Sequence, residues 1–375
     1  MTNRLPLISV IIPTYNYGRF LPDAVKSVLG QKKDGLAVEI IVVDDGSTDD
    51  TADVAQRLGS SIQYIYQENQ GPSAARNSGI RIARGDYLVF LDADDVLTRG
   101  VLESHLRLFA ARLDIDISVC LSLQVFTENN GASYVWPLKA THLDLHLCHS
   151  NISPIHTFML RAAVIQNVGL FAPGLQACED QEYWLRCAAL GKRMAANPHG
   201  LVVYRQHGGS LTAARPQLLA HDAAVRLKIR DVLENRPDFP RAGKFMGWLA
   251  HAAGSLGSAC NLGPSMSRLT QKLLEEGAQA ALRAAALHEQ APAPGNAGLG
   301  LTEQYFAADF LLRARKFTTL SLRSLEKATG FLAKRHPTLA ALGDAALQYK
   351  TEDFFHKICC DYDTMQATVK RTRLE

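Results

Sequence analysis

Three aspartates follow directly on a run of apolar residues. Residues 87–91 are Tyr-Leu-Val-Phe-Leu, a pattern typical of a strand buried on both faces of a parallel sheet, and Asp92, Asp94 and Asp95 come next. If the alternation of the strand continues, Asp92 and Asp94 point the same way and Ala93 points away. Two converging carboxylates without an adjacent cation suit a hard divalent metal such as Mg²⁺ or Mn²⁺. The competing interpretation is a solvated turn that caps a following helix.

Polar residues also follow two earlier apolar runs of the chain. Pro13 ends the first run, and Tyr15 or Tyr17 can stack on a flat base, although a plain strand-to-helix turn explains the segment equally well. Asp44 and Asp45 end the second run, where a carboxylate can accept a hydrogen bond from a pyrimidine ring N–H. The second segment also fits the cap of a following helix, and both interpretations can hold together.

A third polar segment, residues 67–77, combines a loop with the start of a predicted helix. Arg76, one turn into that helix, can hold a phosphate or a carboxylate, although a single arginine is more often a surface residue. Ligands of open α/β sheets bind outside the carboxyl ends of the strands. Four polar segments at one such edge indicate a binding site more strongly than any one of them does alone.

The elements that must position these residues alternate between strands and helices. This order predicts a parallel, doubly wound α/β sheet with right-handed crossovers, although the pattern loosens past Leu102. Predicted strands are 8–13, 38–43, 62–66, 87–91, 117–126, 134–138 and 201–205. Predicted helices are 20–29, 73–83, 160–168, 179–190 and one that Ser47 or Thr48 caps and that ends near residue 58.

The bulk composition argues against several classes of protein. The chain has 375 residues, of which 47% are hydrophobic and 21% charged, as in a soluble protein with room for two domains. A formal net charge of +3 is too small to argue for nucleic-acid binding. Seven scattered cysteines form neither a disulfide framework nor a Cys-x-x-Cys metal site. With no signal peptide and no apolar stretch long enough to span a membrane, we expect a cytoplasmic protein.

The second part of the chain has a different composition from the first. Residues 216–375 are rich in Ala, Leu, Arg and Glu and show no strand pattern, so we predict an α/β domain over 1–215 and an all-α domain over 216–375, with a loop or linker at 292–300. Residues 316–335 form a basic amphipathic pattern, typical of a bundle helix or of one on a membrane surface. Contact of this part with the inner face of a membrane, or with a protein, stays open.

Four segments of the first domain resemble the family-2 glycosyltransferases of the GT-A fold. They are residues 9–16 (Ser-Val-Ile-Ile-Pro-Thr-Tyr-Asn), 42–49 (Val-Val-Asp-Asp-Gly-Ser-Thr-Asp), 75–79 (Ala-Arg-Asn-Ser-Gly) and 85–95, which ends in Asp-Ala-Asp-Asp. The similarity covers about residues 7–210, and the combined motifs are highly specific. It implies a Rossmann-like, mostly parallel sheet flanked by helices, with nucleotide-sugar chemistry at its edge.

The resemblance also implies a role for individual residues. Asp92 would lie towards the ribose and Asp94 on a Mn²⁺ or Mg²⁺ ion, with Asp92 and His207 as further candidate ligands. The residues expected to line the nucleotide-sugar site are Pro13, Thr14, Tyr15, Asp44, Asp45, Asn69, Arg76, Asp92, Ala93, Asp94 and Arg205.

A catalytic base is implied further along the chain. Residues 178–186 (Cys-Glu-Asp-Gln-Glu-Tyr-Trp-Leu-Arg) look like the Glu-Asp element of the family, which begins a helix beneath the acceptor site. Inversion at the anomeric carbon requires a carboxylate that takes the proton of the attacking hydroxyl, and we predict Asp180 for this role, with Glu179 second. Without the resemblance, both acids would be interpreted as favourable charges at a helix N-terminus.

A late segment, residues 203–210, resembles the Arg-x-His segment of the family. His207 is a candidate metal ligand or diphosphate donor, and Arg205 is a candidate phosphate contact. His156 is a weaker candidate for a pocket residue, and Trp136 a weaker candidate for stacking on a sugar.

These features together predict an inverting, metal-dependent glycosyltransferase of the hexosyltransferase type, of the kind that builds polysaccharides. The expected donor is a UDP-sugar, and the expected acceptor is a hydroxyl of a glycan, a lipid-linked glycan or another acceptor. The alternative is a non-catalytic nucleotide-sugar binder, a scaffold whose helical half docks a partner. The intact acidic pairs favour the enzyme, because a binder has no use for a base.

Overall fold

The fold is described from a computed structural model of the chain. The structure describes residues 4–31, 35–126, 133–136, 142–175, 177–208, 215–236, 238–240, 244–262 and 268–290, with 306, 310, 314 and 327–330. The strands are β1 (Leu7–Thr14), β2 (Ala37–Asp44), β3 (Gln63–Tyr66), β4 (Tyr87–Phe90), β5 (Val96–Leu97), β6 (Ile117–Phe126), β7 (Ser133–Trp136), β8 (Phe158–Arg161) and β9 (Met194–Gln206). The helices are α1 (Leu21–Leu29), α2 (Thr51–Leu58), α3 (Pro72–Ile82), α4 (Val101–Ala111), α5 (Leu143–His149), α6 (Ala162–Val168), α7 (Glu179–Ala189), α8 (Arg215–Asn235), α9 (Lys244–Leu262) and α10 (Arg268–Gln290).

Within the described residues, nine strands form one sheet in the order β3-β2-β1-β4-β8-β6-β9-β5, with β7 paired to β6. Strands β3, β2, β1 and β4 are parallel to one another, while β8 is antiparallel to both β4 and β6. Strand β9 is parallel to β6, whereas β5 and β7 run against their partners. The predicted α/β class, a sheet flanked by helices, is therefore confirmed. The sheet is mixed rather than mostly parallel, because four of its eight described strand pairings are antiparallel.

Side chains of the central strands alternate between two hydrophobic cores. Ile11 and Phe90 pack in a core with helices α3 and α5 to α10, whereas Val10, Ile12 and Val89 pack in a second core with α1, α2 and α4. These side chains are 0–2% exposed. Burial of each contributes about 1.5–3 kcal/mol, which is consistent with the absence of charged residues within β1 and β4.

The helical region after β9 packs on the first of these cores. Residues of α9 and α10, such as Leu256 and Leu274, share it with Phe158 of the sheet and Trp184 of α7. A helical C-terminal region is thus confirmed over the described part of residues 215–290, while the boundary at 215 and 216 stays a prediction. None of the described helices is both long and apolar enough to cross a membrane.

Two predicted segments of the C-terminal region fall largely outside the described residues. The linker at 292–300 lies wholly outside them, and so does the amphipathic segment 316–335 apart from residues 327–330, which are helical. Ala328 is buried and belongs to the same core as α9 and α10. Contact of this region with a membrane surface or a protein stays a prediction.

Several element boundaries differ from the sequence prediction. The predicted helix 160–168 is in fact strand β8 running directly into α6, because the buried residues Phe158 to Leu160 pair with β4 and β6. Helix α2 begins at Thr51, so neither Ser47 nor Thr48 caps it. The last strand is longer than predicted, starting at Met194. Helix α4 corresponds to the helix that the competing interpretation placed after the aspartates, and the sequence pattern missed α5 and β5.

Strand register determines which residues meet at the carboxyl edge of the sheet. Thr14 lies opposite Asp44, and Asp44 lies opposite Tyr66. On the other side of β1, the N–H of Leu91 donates to the carbonyl of Ile11 (2.9 Å), so the aspartates after Leu91 emerge beside the end of β1. All four polar segments are therefore brought to one edge by the parallel pairing of β1 to β4.

Candidate functional site

Asn16 joins the first two polar segments of the edge. It has a left-handed backbone (φ 57°), and its Oδ1 accepts from the N–H of Thr48 at 2.7 Å. Its own N–H donates to Oγ of Ser47 at 2.9 Å, which explains why this serine is not a helix cap. Tyr15 is 47% exposed beside this turn, so its ring is open to a ligand.

Asp44 and Asp45 are both buried and hold the loops around them. Asp44 accepts from the N–H of Ser47 (2.8 Å) and from the hydroxyl of Tyr64 (2.7 Å). Asp45 accepts from the N–H of Gly71 (2.8 Å), at the start of α3, and its own N–H donates to the carbonyl of Thr14 (2.9 Å). The predicted nucleotide-binding carboxylates are therefore fixed parts of the edge.

A glycine allows the loop of Asn69 to approach these carboxylates. Gly46 has φ +82°, and a Cβ there would lie 2.8 Å from the backbone nitrogen of Asn69. Asn69 itself is exposed at the rim. Pro13 and Thr14 lie at the end of β1, where Thr14 is 2% exposed.

Asp92 and Asp94 have different surroundings although they are two residues apart. The Asp92 side chain is 33% exposed, whereas Asp94 is buried and its Oδ2 lies 3.1 Å from Nε2 of His207. The His207 ring packs on Phe20, with ring centroids 4.8 Å apart. Burial, and then the carboxylates of Asp95 and Asp92, raise the pKa of Asp94 to about 8. Ala93 is buried in the second core.

Asp95 was not assigned a role from the sequence, and it lies completely buried under the other aspartates. Its Oδ1 accepts from the N–H of Arg205 at 2.8 Å, and its Oδ2 lies 2.9 Å from Nδ1 of His156. His156 is 1% exposed and approaches at ion-pair distance without alignment for a hydrogen bond. Burial raises the pKa of Asp95, while the charge of His156 opposes this change.

Arg205 lies against the aspartate loop and α1. Its Nη1 contacts Oδ2 of Asp23 at 3.1 Å, its Nε donates to the carbonyl of Asp94, and its guanidinium packs over the ring of Phe20. These contacts hold the loop that carries the aspartates. Its predicted contact with phosphate stays a prediction.

Arg76 connects two acidic pairs that are far apart in sequence. Its guanidinium is buried and contacts Oδ1 of Asp92 at 2.8 Å and Oε1 of Glu179 at 2.5 Å. The ring of Phe171 lies 5.7 Å from its Cζ. Burial is the largest single influence on the pKa of Arg76 and lowers it, but the carboxylates of Asp92 and Glu179 together raise it by more. Arg76 therefore lies beneath the edge as a bridge between the two pairs.

Asp180 lies next to this bridge but is not part of it. Its Oδ2 accepts from Nδ2 of Asn151 and its Oδ1 from the N–H of Gln181, both at 2.7 Å. Burial, and then the charge of Glu179, raise the pKa of Asp180 to about 7, while Asn151 and Arg76 lower it. The carboxylate is thus poised to exchange a proton near neutral pH.

The predicted metal ligands are divided between two neighbouring groups. Asp94 pairs with His207, while ligand atoms of Asp92, Asp95 and His156 lie within 4.8 Å of one another. Within the described residues, the second group is the one cluster of three with metal-binding geometry. Carboxylate oxygens with imidazole nitrogens are donors that fit Mn²⁺, and a divalent ion would offset the concentrated negative charge.

Sequence reasoning missed three residues of the site. The prediction for Trp136 stays untested. Asp95 follows a recognised motif but was given no role, Asn151 lies in no motif, and Phe20 supports His207 from a helix start. The side chain of Trp136, at the end of β7, lies outside the described part of the chain. Of these, Asp95 alone had a local signal, its place in an Asp-rich run.

A known protein family matches the part of the chain that forms this edge. The family described as "Glycosyl transferase family 2" matches residues 9–167. This match covers the segment from β1 to α6, and the rest of the chain lies outside it. The match includes the three segments that end β1, β2 and β4, and it ends before the Glu179 and Asp180 pair.

Curated relatives extend the likeness over about half of the chain. It is 32% identical over 187 residues to an uncharacterized glycosyltransferase of Rickettsia prowazekii, covering 48% of this chain and 58% of the relative. It is 29% identical over 195 residues to chondroitin synthase of Escherichia coli, covering 50% of this chain and 27% of the synthase. The chain thus spans little more than half the length of the Rickettsia relative.

Solved structures share the fold over most of the chain. S. aureus TarS (residues 1–349, in complex with UDP-GlcNAc) aligns with a TM-score of 0.59 and 16% identity, covering 90% of this chain and 92% of that one. Mannosyltransferase PcManGT from Pyrobaculum calidifontis, in complex with GDP-Man and Mn²⁺, aligns with a TM-score of 0.52 and 16% identity, covering 92% and 88%. At this identity the likeness concerns the fold alone.

Proposed function

We propose that this chain is an inverting glycosyltransferase that moves a hexose from a UDP-sugar to a hydroxyl of a glycan, lipid-linked or other acceptor. The observation that carries the proposal is the Arg76 bridge between Asp92 and Glu179. It holds two pairs of acids within reach of one bound donor: Asp92 and Asp94, the candidate metal and diphosphate site, and Glu179 and Asp180, the candidate catalytic base. A protein that only bound the donor would have no use for the second pair.

The geometry of the edge supports a nucleotide as the group that is bound. Tyr15 offers an exposed ring for stacking on a nucleobase. The Asp44 carboxylate accepts two hydrogen bonds and can accept about four, so it can also accept one from the ring N–H of a nucleobase. TarS binds UDP-GlcNAc and PcManGT binds GDP-Man. We assign UDP because the ring N–H of uracil can donate to Asp44. Guanine also carries a ring N–H, and the titration below distinguishes the two nucleotides.

Residues at this edge also fit a divalent metal. Asp94, with Asp92 and His207, would hold Mn²⁺ or Mg²⁺, because oxygen donors suit both ions and an imidazole favours Mn²⁺. When bound, the ion would stabilise the negative charge that develops on the diphosphate as the sugar leaves. Asp95, His156 and Arg205 keep the aspartate loop in place through their contacts with one another.

Asp180 is the proposed general base. Glu179 is held by Arg76 at 2.5 Å, so its charge is already compensated. Within the described part of the chain, Asp180 instead accepts from neutral donors, the amide of Asn151 and the N–H of Gln181. As the acceptor oxygen attacks the anomeric carbon, its proton passes to the Asp180 carboxylate and the bond from that carbon to the diphosphate breaks. A pKa of about 7 lets Asp180 take the proton near neutral pH.

Calorimetric titration tests the donor. The protein is titrated with UDP-GlcNAc, UDP-glucose, UDP-galactose and GDP-mannose, each with Mn²⁺ and again with EDTA. We expect a UDP-sugar to bind with Mn²⁺ and to bind much more weakly with EDTA. Binding of GDP-mannose alone would overturn the assignment of UDP, and binding of no nucleotide sugar would overturn the proposal.

Substitution of the base tests catalysis separately from binding. Asp180→Asn should lower turnover about 10²- to 10⁴-fold, the usual contribution of a general base, and leave Mn²⁺-dependent donor binding intact. Turnover is followed as UDP release in the presence of Mn²⁺. Unchanged turnover would refute the role of Asp180, and donor binding without any turnover in the unsubstituted protein would favour the scaffold.

A further inference from the structure

Asn151 is the side chain that orients the Asp180 carboxylate. Its Nδ2 donates to Oδ2 of Asp180 at 2.7 Å, and the other carboxylate oxygen is taken by the N–H of Gln181. The opposite orientation of the Asn151 amide would place two oxygens against each other, so the amide must donate here. With one donor on each oxygen, the rotation of the Asp180 carboxylate is fixed, and its remaining lone pairs are left to accept a proton or a hydrogen bond from another group.

The position of Asn151 is set by the end of helix α5. Asn151 lies two residues after His149, the last residue of that helix. Arg226 of α8 is 3% exposed, and its Nη1 donates to the carbonyl of Cys148 at 3.1 Å. That carbonyl belongs to the last turn of α5, where carbonyls have no partner within the helix, so a buried arginine satisfies and immobilises it.

Helices α8 and α9 in turn fix Arg226. Its Nη2 contacts Oδ1 of Asp222 at 3.2 Å, and the other oxygen of Asp222 accepts from Oγ of Ser258 on α9. Gly254, also on α9, packs so closely that a Cβ there would overlap both the carbonyl oxygen of His149 and Nη1 of Arg226. Helices α8 and α9 therefore pack directly against the end of α5, two residues before Asn151.

The charged groups around Asp180 come from three elements. Glu179 lies on its own helix α7 and Arg76 on α3, while Asp222 and Arg226 of α8 act on the thiol of Cys178, two residues before Asp180. Asn151, from the segment after α5, is the neutral neighbour among them. A change at Asn151 alters a hydrogen bond to Asp180 without adding or removing a charge.

We propose that Asn151 is a positioning residue for Asp180, and that helices α8 and α9 act on the candidate active site through Arg226 and the end of α5. This inference rests on the proposed function, in which Asp180 is the base. It gives the helical region a role in catalysis that requires neither an acceptor site nor a membrane contact within it.

The experiment compares four variants of the full-length chain. Asn151→Leu removes the donor and keeps the branching and the number of heavy atoms of the side chain. Arg226→Lys keeps the charge but loses the two separate Nη groups that contact Cys148 and Asp222. Arg230→Gln is the matched control, since Arg230 lies one turn further along α8 and contacts Glu276 of α10 at 3.2 Å instead of α5. Asp180→Asn reports whether the base itself matters. Circular dichroism confirms that each variant is folded.

We expect Asn151→Leu to lower kcat about 10- to 100-fold for UDP release from UDP-GlcNAc with Mn²⁺, as for loss of a hydrogen bond to a charged group. The KM for UDP-GlcNAc should stay unchanged, and the acid limb of the pH profile should move to higher pH, because the bond favours the ionised carboxylate. Arg226→Lys should shift both quantities in the same direction by a smaller factor, and Arg230→Gln should shift neither.

Carbon-13 NMR of aspartate side-chain carboxyls provides a measurement that does not need turnover. The Asp180 signal is assigned by its loss in Asp180→Asn, and its titration midpoint should rise in Asn151→Leu and in Arg226→Lys. A kcat, pH profile and midpoint that match the unsubstituted protein in Asn151→Leu would overturn the inference. Full turnover in Asp180→Asn would instead overturn the proposed function, while a raised midpoint would still show Asn151 holding that carboxylate.

Discussion

The two acidic pairs of the candidate site are built alike although they lie in different parts of the fold. Asp92 and Asp94 follow a central strand of the sheet, whereas Glu179 and Asp180 begin helix α7. In each pair one carboxylate contacts Arg76 and the other does not. The carboxylates without this contact, Asp94 and Asp180, have pKa values raised to about 8 and about 7.

The difference between the pairs lies in what holds the second carboxylate. Asp94 faces an imidazole, His207, in surroundings made by residues close to the sheet. Asp180 faces a neutral amide, Asn151, whose position depends on helices α8 and α9. A carboxylate among other acids suits a cation, and a carboxylate beside an amide suits a proton. One arginine therefore compensates one carboxylate of each pair, and the other two, Asp94 and Asp180, are the ones to which the proposed function gives different roles.

Removal of the shared cation should have the largest effect. Arg76→Met leaves Asp92 and the buried Glu179 without their common partner, and we expect a loss of about 3–5 kcal/mol in the free energy of unfolding. Urea denaturation measures it, with the exposed Arg81→Met of the same helix as the control, expected within about 0.5 kcal/mol of the original chain.

A double variant separates the charge from the packing of Arg76. Arg76→Met combined with Glu179→Gln should be more stable than Arg76→Met alone, because one uncompensated buried carboxylate is removed. If Arg76→Met unfolds at the same urea concentration as the original chain, Arg76 does not hold the two pairs together.

The members of the first pair should differ in their effect on metal-dependent binding. Asp94→Asn should weaken Mn²⁺-dependent binding of UDP-GlcNAc at least about 100-fold, since loss of a direct ligand should exceed the 10- to 100-fold typical of outer-shell partners. Asp92→Asn should cost less, because the Asp92 carboxylate is shared with Arg76. Calorimetry with Mn²⁺ and with EDTA measures both. Equal losses in the two variants would mean that the contact with Arg76 does not separate their roles.

The parallel half of the sheet was predictable from the sequence, and so was the meeting of its polar strand ends at one edge. Asp92, Asp94 and Asp180 lie in short motifs. The apolar runs that form β1, β2 and β4 imply parallel strands whose carboxyl ends meet at one edge. Strand β8 was not predictable in this way, because its four residues lead into α6 without a breaking residue between them.

Contacts between distant segments were beyond sequence reasoning. Arg76 was expected at a phosphate, yet its partner Glu179 lies 103 positions away, a contact that depends on how α7 packs against α3. Asn151 has no motif, and its contact with Asp180 depends on buried Arg226, a residue of the helical region. Local pattern reveals which residues have reactive side chains, and packing decides which of them are neutralised.

The smallest predicted effect is a shift in the pH profile of kcat, and its direction tests the comparison directly. The pKa of Asp180 is raised to about 7, so the base is ionised above that pH, and kcat should fall about tenfold per unit as the pH decreases below it. The charge of Glu179 contributes to this rise, so Glu179→Gln should move the acid limb to lower pH by less than about one unit. Asn151→Leu moves the same limb the other way. If Glu179→Gln leaves the limb in place or moves it upward, Glu179 does not act electrostatically on Asp180, and the two acidic pairs are not built alike.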